Sequence, residues 1–86
     1  MMNINIFPNP TQLGQGSVSF ELFNDEELTI SVTNLLGTEL DAVKLSLLAG
    51  NHNLEISDLF NITRNGSYIV SILGQNTRAA EMIIIK

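Results

Sequence analysis

Cysteine and tryptophan are absent from the sequence, and histidine occurs once, as His52. Without cysteine the chain can form no disulfide and offers no thiolate to a metal, so the fold must depend on its core. A single histidine without cysteine also predicts neither a zinc site nor a Ser-His or Cys-His nucleophile. We therefore expect a protein that is not an enzyme and that has no metal, cofactor-binding or catalytic residues.

Positive charge is scarce as well. Four basic residues are scattered among nine acidic ones, which gives a formal net charge of −5 at pH 7. Nucleic-acid binding relies on clustered Lys and Arg side chains that neutralise phosphates, and an anionic membrane surface would repel this chain. The composition therefore predicts that neither nucleic acid nor a membrane surface is a partner.

Long hydrophobic runs are missing too. No stretch approaches the roughly 20 consecutive apolar residues that span a bilayer, so we expect no membrane insertion. Residues 1–6 carry no positive charge and no long apolar segment, so they do not form a signal peptide. At 86 residues the chain has room for one domain. We expect residues 1–86 to be a single domain excised from a longer secreted protein.

The chain is rich in apolar–polar alternation, which is the pattern of strands with one buried face. Residues 17–22 and 28–33 alternate most clearly. Because Asn24-Asp25-Glu26 lies between them, they predict a hairpin with a solvated tip. The last strand contains Met82, Ile83, Ile84 and Ile85, a run that predicts burial on both faces or at a sheet interface. Other strands are predicted near residues 3–6, 52–56 and 67–73.

Residues 38–48 fit two structures. Leu40, Val43 and Leu47 have helical spacing, whereas Val43, Leu45 and Leu47 alternate as in a strand. The all-β surroundings favour the strand. With it, the chain has about seven short strands separated by turn signals, which predicts an immunoglobulin-like antiparallel β-sandwich.

Several short motifs, taken in order, resemble a known family. Each motif alone is weak, but the ordered series covers nearly the whole chain. It resembles the type A C-terminal sorting domain of the type IX (Por) secretion system of the Bacteroidetes. The matching segments are Phe7-Pro8-Asn9-Pro10, Thr33-Asn34-Leu35-Leu36-Gly37, Leu48-Ala49-Gly50 with Asp58-Leu59, Gly66-Ser67-Tyr68-Ile69-Val70, and the closing aliphatic strand that ends at Lys86.

The resemblance implies a non-catalytic sorting signal. Such a domain directs a covalently attached N-terminal passenger through the type IX translocon across the outer membrane, and a surface sortase then removes it. The protein would be exported through the periplasm to the cell surface or the extracellular medium. The family-motif residues are Phe7, Pro8, Asn9, Pro10, Gly37, Gly50, Asp58, Gly66, Tyr68 and Lys86. The candidate recognition strand consists of Met82, Ile83, Ile84, Ile85 and Lys86.

Three positions depart from the family pattern. Asn34 stands where the family usually has Asp, a change that still suits a turn. The stretch from Asp58 to Gly66 is one residue longer than the common spacing. Glu81-Met82 stands where the family usually has a lysine.

Physical chemistry suggests structural roles for several motif residues. Gly66 is expected to adopt a turn with positive φ. Tyr68 is expected to bury its ring and bond its hydroxyl to a loop backbone group, as in a tyrosine corner. Phe7 is expected to pack under the rim of the sandwich, with the prolines ending an edge strand. The signal would then be the folded module with its last strand rather than a linear tag.

The alternative is a fibronectin-like or carbohydrate-binding adhesion module of the same architecture. Carbohydrate sites usually present exposed aromatic rings, and this chain has one Tyr and four Phe. We expect Phe20 and Phe7 to pack inside, which leaves only Phe23 and Phe60 as exposed candidates. Two exposed rings give only weak support for a sugar-binding site.

Overall fold

The computed structural model of the protein describes residues 4–7, 12 and 15–86, with the backbone alone for residues 4–7. Within this part of the chain, seven strands form two packed antiparallel sheets, ordered β1-β2-β5 and β4-β3-β6-β7. The predicted all-β sandwich is confirmed. The elements are β1 (Ile4–Phe7), β2 (Ser17–Leu22), β3 (Glu26–Asn34), β4 (Glu39–Leu47), β5 (Gly50–Glu55), α1 (Ile56–Leu59), β6 (Gly66–Gly74) and β7 (Arg78–Ile85).

The strand order resembles that of the immunoglobulin sandwich. In that fold the first strand pairs with the second and the second with the fifth, while the third, sixth and seventh form the facing sheet. The same neighbours occur here in β1-β2-β5 and β3-β6-β7. The fourth strand differs from the constant-type order, because β4 pairs with β3 and not with β5.

The predicted hairpin between residues 17–22 and 28–33 is wrong. β2 pairs with β1 and β5, whereas β3 pairs with β4 and β6 in the other sheet. The three residues 23–25 carry the chain across the sandwich. Alternation determines which face of a strand is buried, but it does not identify the neighbouring strand. The two strands therefore face one another through their buried side chains.

The core lies between the sheets and is built from the inward side chains of β2, β3, β6 and β7, closed at one end by α1 and the residue after it. Every second residue of β2, β3 and β6 is buried, as the alternation predicts. The buried apolar residues are Val18, Phe20, Leu22, Leu28, Ile30, Val32, Ile56, Phe60, Tyr68, Val70, Ile72, Ile83 and Ile85.

The last strand is buried on one face only. Ile83 and Ile85 are 0% and 3% exposed, whereas Met82 and Ile84 are 50% and 40% exposed. Successive side chains of a strand point to opposite faces, and only the inner face of this sheet packs against the other sheet. Of the two predictions for this run, burial on both faces is wrong and a position at a sheet interface is confirmed.

The structure confirms the predicted strand within residues 38–48 and contradicts the predictions for Ile56 and Phe60. Residues 39–47 form β4, as the β-rich surroundings favoured, and the side chains of Val43, Leu45 and Leu47 pack partly against the core. Ile56, predicted as a strand residue, instead begins α1 with its side chain buried. Phe60 follows this helical turn and is 5% exposed. The expectation of an exposed Phe60 ring is therefore wrong, because the turn directs the ring inward.

Candidate recognition site at the motif end

Strand register brings most of the motif residues to one end of the sandwich. β5 leads through α1 and residues 60–65 to Gly66, which pairs with Ile85 near the close of β7. The turn formed by residues 34–38 lies at the same end, because Asn34 pairs with Tyr68. We call this the motif end. The opposite end carries the connections at residues 23–25, 48–49 and 75–77.

Tyr68 anchors the connection that enters β6. Its ring is 8% exposed, and its hydroxyl donates a hydrogen bond of 2.6 Å to the carbonyl oxygen of Arg64. The predicted tyrosine corner is confirmed. Two residues earlier, Gly66 has φ +156°, and a Cβ built there would lie 3.7 Å from the Tyr68 ring. That distance is ordinary contact, so the backbone conformation rather than lack of space favours glycine.

Asn34 organises the turn between β3 and β4. Its side-chain oxygen accepts the backbone N–H groups of Leu36 and Thr38, each at 3.0 Å. Its backbone carbonyl accepts the N–H of Gly37 at 3.1 Å, and Gly37 has φ +90°. An Asp carboxylate could accept the same two N–H groups, so the family's usual residue and Asn34 can hold the turn in the same way.

The same turn exposes two large apolar side chains. Leu35 is 61% exposed and Leu36 is 92% exposed. Both belong to a family motif of the sequence, but neither is among the candidate site residues that the sequence predicts. The available signal was an apolar pair between Asn34 and Gly37, inside a turn where polar residues are the rule.

The candidate recognition strand lies directly beside the Gly-x-Tyr motif. Ile83 pairs with Tyr68, Ile84 with Ser67 and Ile85 with Gly66. Lys86 follows β7 and is exposed. The strand is thus part of the four-stranded sheet rather than a free tail, and its inner side chains belong to the core.

The remaining motif residues are not all brought together. Asp58 lies exposed in α1 at the motif end, whereas Gly50 begins β5 at the opposite end, where it pairs with Leu22. Phe7 closes β1 and pairs with Ser17, which places its backbone at the motif end. Its side chain, together with Pro8, Asn9 and Pro10, lies outside the described residues, so their predicted roles stay predictions.

A cleft of about 300 Å³ opens at the motif end between β4 and residues 61–64. Val32, Ile62 and the Tyr68 ring give it an apolar floor, while Asp41 and Arg64 lie at its polar rim. The Asp41 carboxylate accepts the N–H of Asn61 at 3.3 Å. This lining suits an apolar side chain and contains no paired acid and base among the described residues.

Carboxylates hold the opposite end together. Asp25 accepts the N–H of Ala49 at 2.8 Å, while Glu26 accepts the N–H of Asn76 at 2.6 Å and the hydroxyl of Thr77 at 2.7 Å. The Asn76 N–H and, next, the Thr77 hydroxyl hold the pKa of Glu26 below its ordinary value. The prediction of a hairpin tip here is wrong, because β2 and β3 lie in different sheets, but Asp25 is exposed as predicted.

The His52 side chain contacts a backbone carbonyl group and a buried aromatic ring. Its Nε2 lies 2.7 Å from the carbonyl oxygen of Leu48, and its ring centroid lies 5.5 Å from that of Phe20. Among the described residues, no group of three or more His, Cys, Asp or Glu side chains is placed to hold a metal ion. The described helical turn is also far too short and too polar to cross a membrane.

Comparison with protein-family models matches residues 5–86 to the family described as the secretion system C-terminal sorting domain. The match covers nearly the whole chain and includes both ends of the sandwich. Neither the curated proteins nor the solved structures contain a significant match.

Proposed function

Because the chain belongs to the family of type IX secretion system C-terminal sorting domains, we propose that it carries an attached N-terminal passenger across the outer membrane and is then removed by the surface sortase. A sorting domain of this family interacts with the type IX machinery and belongs to a protein destined for the cell surface or the extracellular space. Transit through the periplasm and a non-catalytic role form part of the proposal.

The observation that carries the proposal is the family match over residues 5–86. The geometry adds support for how the signal is presented. The last strand supplies Ile83 and Ile85 to the core and pairs with β6. A translocon that reads residues 82–86 in the folded domain therefore meets them on a sandwich, together with the neighbouring turn at residues 34–38.

The adhesion-module alternative has less support. Of the aromatic side chains that the structure describes, only that of Phe23 is well exposed, at 72%. The rings of Phe20, Phe60 and Tyr68 are buried. A single ring at the opposite end does not form the aromatic platform that a sugar site requires, so we propose no glycan ligand.

Export of a fusion tests the proposal. Residues 1–86 are fused to the C-terminus of a reporter that carries a periplasmic signal peptide and are expressed in a host with a type IX system. We expect the reporter at the cell surface or in the medium, without the mass of the domain. A host lacking the translocon should retain the full-length fusion in the periplasm. Retention in both hosts would refute the sorting function.

Two variants examine the recognition strand. Deleting residues 82–86 should leave the reporter in the periplasm, although loss of Ile83 and Ile85 also destabilises the domain. Lys86→Ser is the matched test, because Lys86 is exposed and lies after β7. Reduced export of this folded variant would support recognition of the terminal charge. Normal export of the deletion variant would show that the last strand is not needed for export and would refute its proposed role.

A further inference from the structure

Asn65-Gly66 is the only Asn-Gly pair in the sequence, and it lies where the connection from α1 enters β6. An asparagine amide that precedes glycine is open to attack by the backbone nitrogen of that glycine, because glycine has no Cβ to hinder a close approach. Asparagine is one of the thermolabile residues of proteins for chemical reasons of this kind. The pair is therefore a candidate site of covalent modification.

The Asn65 side chain is accessible for such a reaction. It is exposed, and its amide makes no hydrogen bond with the described part of the chain. Other amides of the protein are held in place: the Asn34 oxygen accepts two backbone N–H groups, and the Asn53 oxygen accepts the Ser19 hydroxyl at 3.2 Å. An exposed side chain without such bonds rotates rapidly, so the Asn65 amide can turn toward its own backbone.

The backbone nitrogen of Gly66 lies at the end of the strand ladder. Gly66 pairs with Ile85, the last residue of β7. The described pairs between β3 and β6 stop at Asn34 and Tyr68, so Gly66 is paired on one side only. Element ends open locally at little cost in free energy. The Gly66 nitrogen can therefore leave the ladder and approach the Asn65 amide while the core stays folded.

We propose that Asn65 is a site of spontaneous deamidation in the folded protein. The Gly66 nitrogen forms a bond to Asn65 Cγ, and the bond from Cγ to Nδ2 breaks. Nδ2 takes the proton that the Gly66 nitrogen gives up and leaves as ammonia, which closes a succinimide ring. Water then opens the ring at either of its carbonyl groups. The products are aspartate and isoaspartate, and no oxidant, metal or enzyme is required.

The isoaspartate product changes the motif end. Its main chain runs through the former side-chain carbon, which lengthens the backbone between Arg64 and Tyr68 by a carbon atom. The Tyr68 hydroxyl spans these same residues with its 2.6 Å hydrogen bond to the Arg64 carbonyl oxygen. We expect the longer backbone to disrupt this bond. The melting temperature should then fall by about 4–8 °C, the effect of one lost hydrogen bond in a domain of this size.

Incubation of the purified 86-residue protein in mildly alkaline buffer, either folded or unfolded in urea, tests the site. Chymotryptic cleavage after Phe60 and Tyr68 gives a peptide that contains both Asn61 and Asn65, so one fragmentation spectrum compares them. Asn61 is the matched control, because it is also exposed and precedes Ile62, whose branched Cβ hinders the backbone nitrogen.

In the folded protein we expect Asn65 to be converted at least about tenfold faster than Asn61, which corresponds to about 1.4 kcal/mol in activation free energy. Isoaspartate is identified separately, by enzymatic transfer of a labelled methyl group to its free carboxylate. Conversion of Asn65 at the rate of Asn61, or conversion confined to the sample in urea, would overturn the proposal.

Two variants separate the added charge from the altered backbone. Fresh Asn65→Asp carries the charge on a normal main chain, and Asn65→Gln keeps an amide whose ring closure is slower. We expect both to melt at the temperature of fresh wild type, whereas the isoaspartyl fraction of aged wild type melts lower. Equal melting of that fraction and Asn65→Asp would overturn the proposed effect on the Tyr68 bond. These outcomes do not depend on export, so failure of the sorting function would leave them unchanged.

Discussion

The two ends of the sandwich are held together by different chemistry. At the motif end the main contacts are neutral: the Tyr68 hydroxyl bonds to a carbonyl, and the Asn34 amide bonds to two N–H groups. At the opposite end the Asp25 and Glu26 carboxylates accept hydrogen bonds from other connections. Turns of either kind can be rigid, but at the opposite end the hydrogen bonds of Glu26 lower the pKa of its carboxyl group.

The difference bears on the proposed function. The motif end combines neutral turns with exposed leucines and lies beside the last strand, whereas the opposite end uses its polar side chains to close the β6–β7 hairpin. The side chains proposed for recognition therefore lie at the end of the sandwich opposite to the Glu26 carboxylate. Substitutions at each end measure how far the two ends differ in their contribution to stability.

Ile83→Ala should give the largest loss, because the motif end depends on the buried side of β7. Ile83 is fully buried and pairs with Tyr68, so we expect the free energy of unfolding to fall by about 2–5 kcal/mol. Ile84→Ala on the outer face should cost less than about 1 kcal/mol. Urea unfolding measures both. Equal losses would mean that the strand is not seated with Ile83 inward.

Alanine at two glycines compares the ends directly. A Cβ at Gly74, at the opposite end, would lie 2.7 Å from Leu28 Cδ2 and would also collide with the Glu26 carboxylate. We expect Gly74→Ala to cost about 1–3 kcal/mol through overpacking. A Cβ at Gly37, at the motif end, would have no atom within 4 Å. The expected loss in the free energy of unfolding for Gly37→Ala, about 1–2 kcal/mol, therefore comes only from the backbone φ of +90°. A larger loss at Gly37 in thermal unfolding would contradict this ranking.

Tyr68→Phe should cost about 1 kcal/mol, which is typical of one lost hydrogen bond. The lost bond involves no carboxylate, so the loss should be similar in mild acid and at neutral pH. Melting curves of the variant and the wild type at several pH values provide the measurement. A pH-dependent difference would show that a titratable group participates in the motif end.

Glu26→Gln should give the smallest and the most pH-dependent effect. The pKa of Glu26 is lowered from 4.5 in the folded state, so its stabilising contribution is complete well above that value and is lost as the pH falls below it. The gap in melting temperature between wild type and variant should therefore narrow in acid. Glu27→Gln, at the exposed neighbour, is the control. An equal narrowing there would assign the effect to general charge rather than to Glu26.

Much of the fold was predictable because the alternation of apolar and polar residues shows which face of each strand is buried. The inward positions of β2, β3 and β6 follow from it, and the spacing of Gly66 and Tyr68 predicted the tyrosine corner. The sequence alone could not assign partners, since alternation is the same in a hairpin and in a strand that crosses to the facing sheet. For the same reason the sequence could not identify residues 49, 76 and 77 as the donors to the Asp25 and Glu26 carboxylates.

By itself, the sequence determined that the chain is all-β without disulfides, which family it belongs to, and that Asn34, Gly37 and Gly66 lie in turns. These features could be predicted because backbone preference and strand periodicity depend on residues that are close together in the sequence. Only the tertiary structure decided that the last strand has one buried face and that Phe60 points inward. It also placed Ile69 beside Met82 on the outer face of the four-stranded sheet. These outcomes depend on strand register between distant segments, which no short stretch of sequence contains.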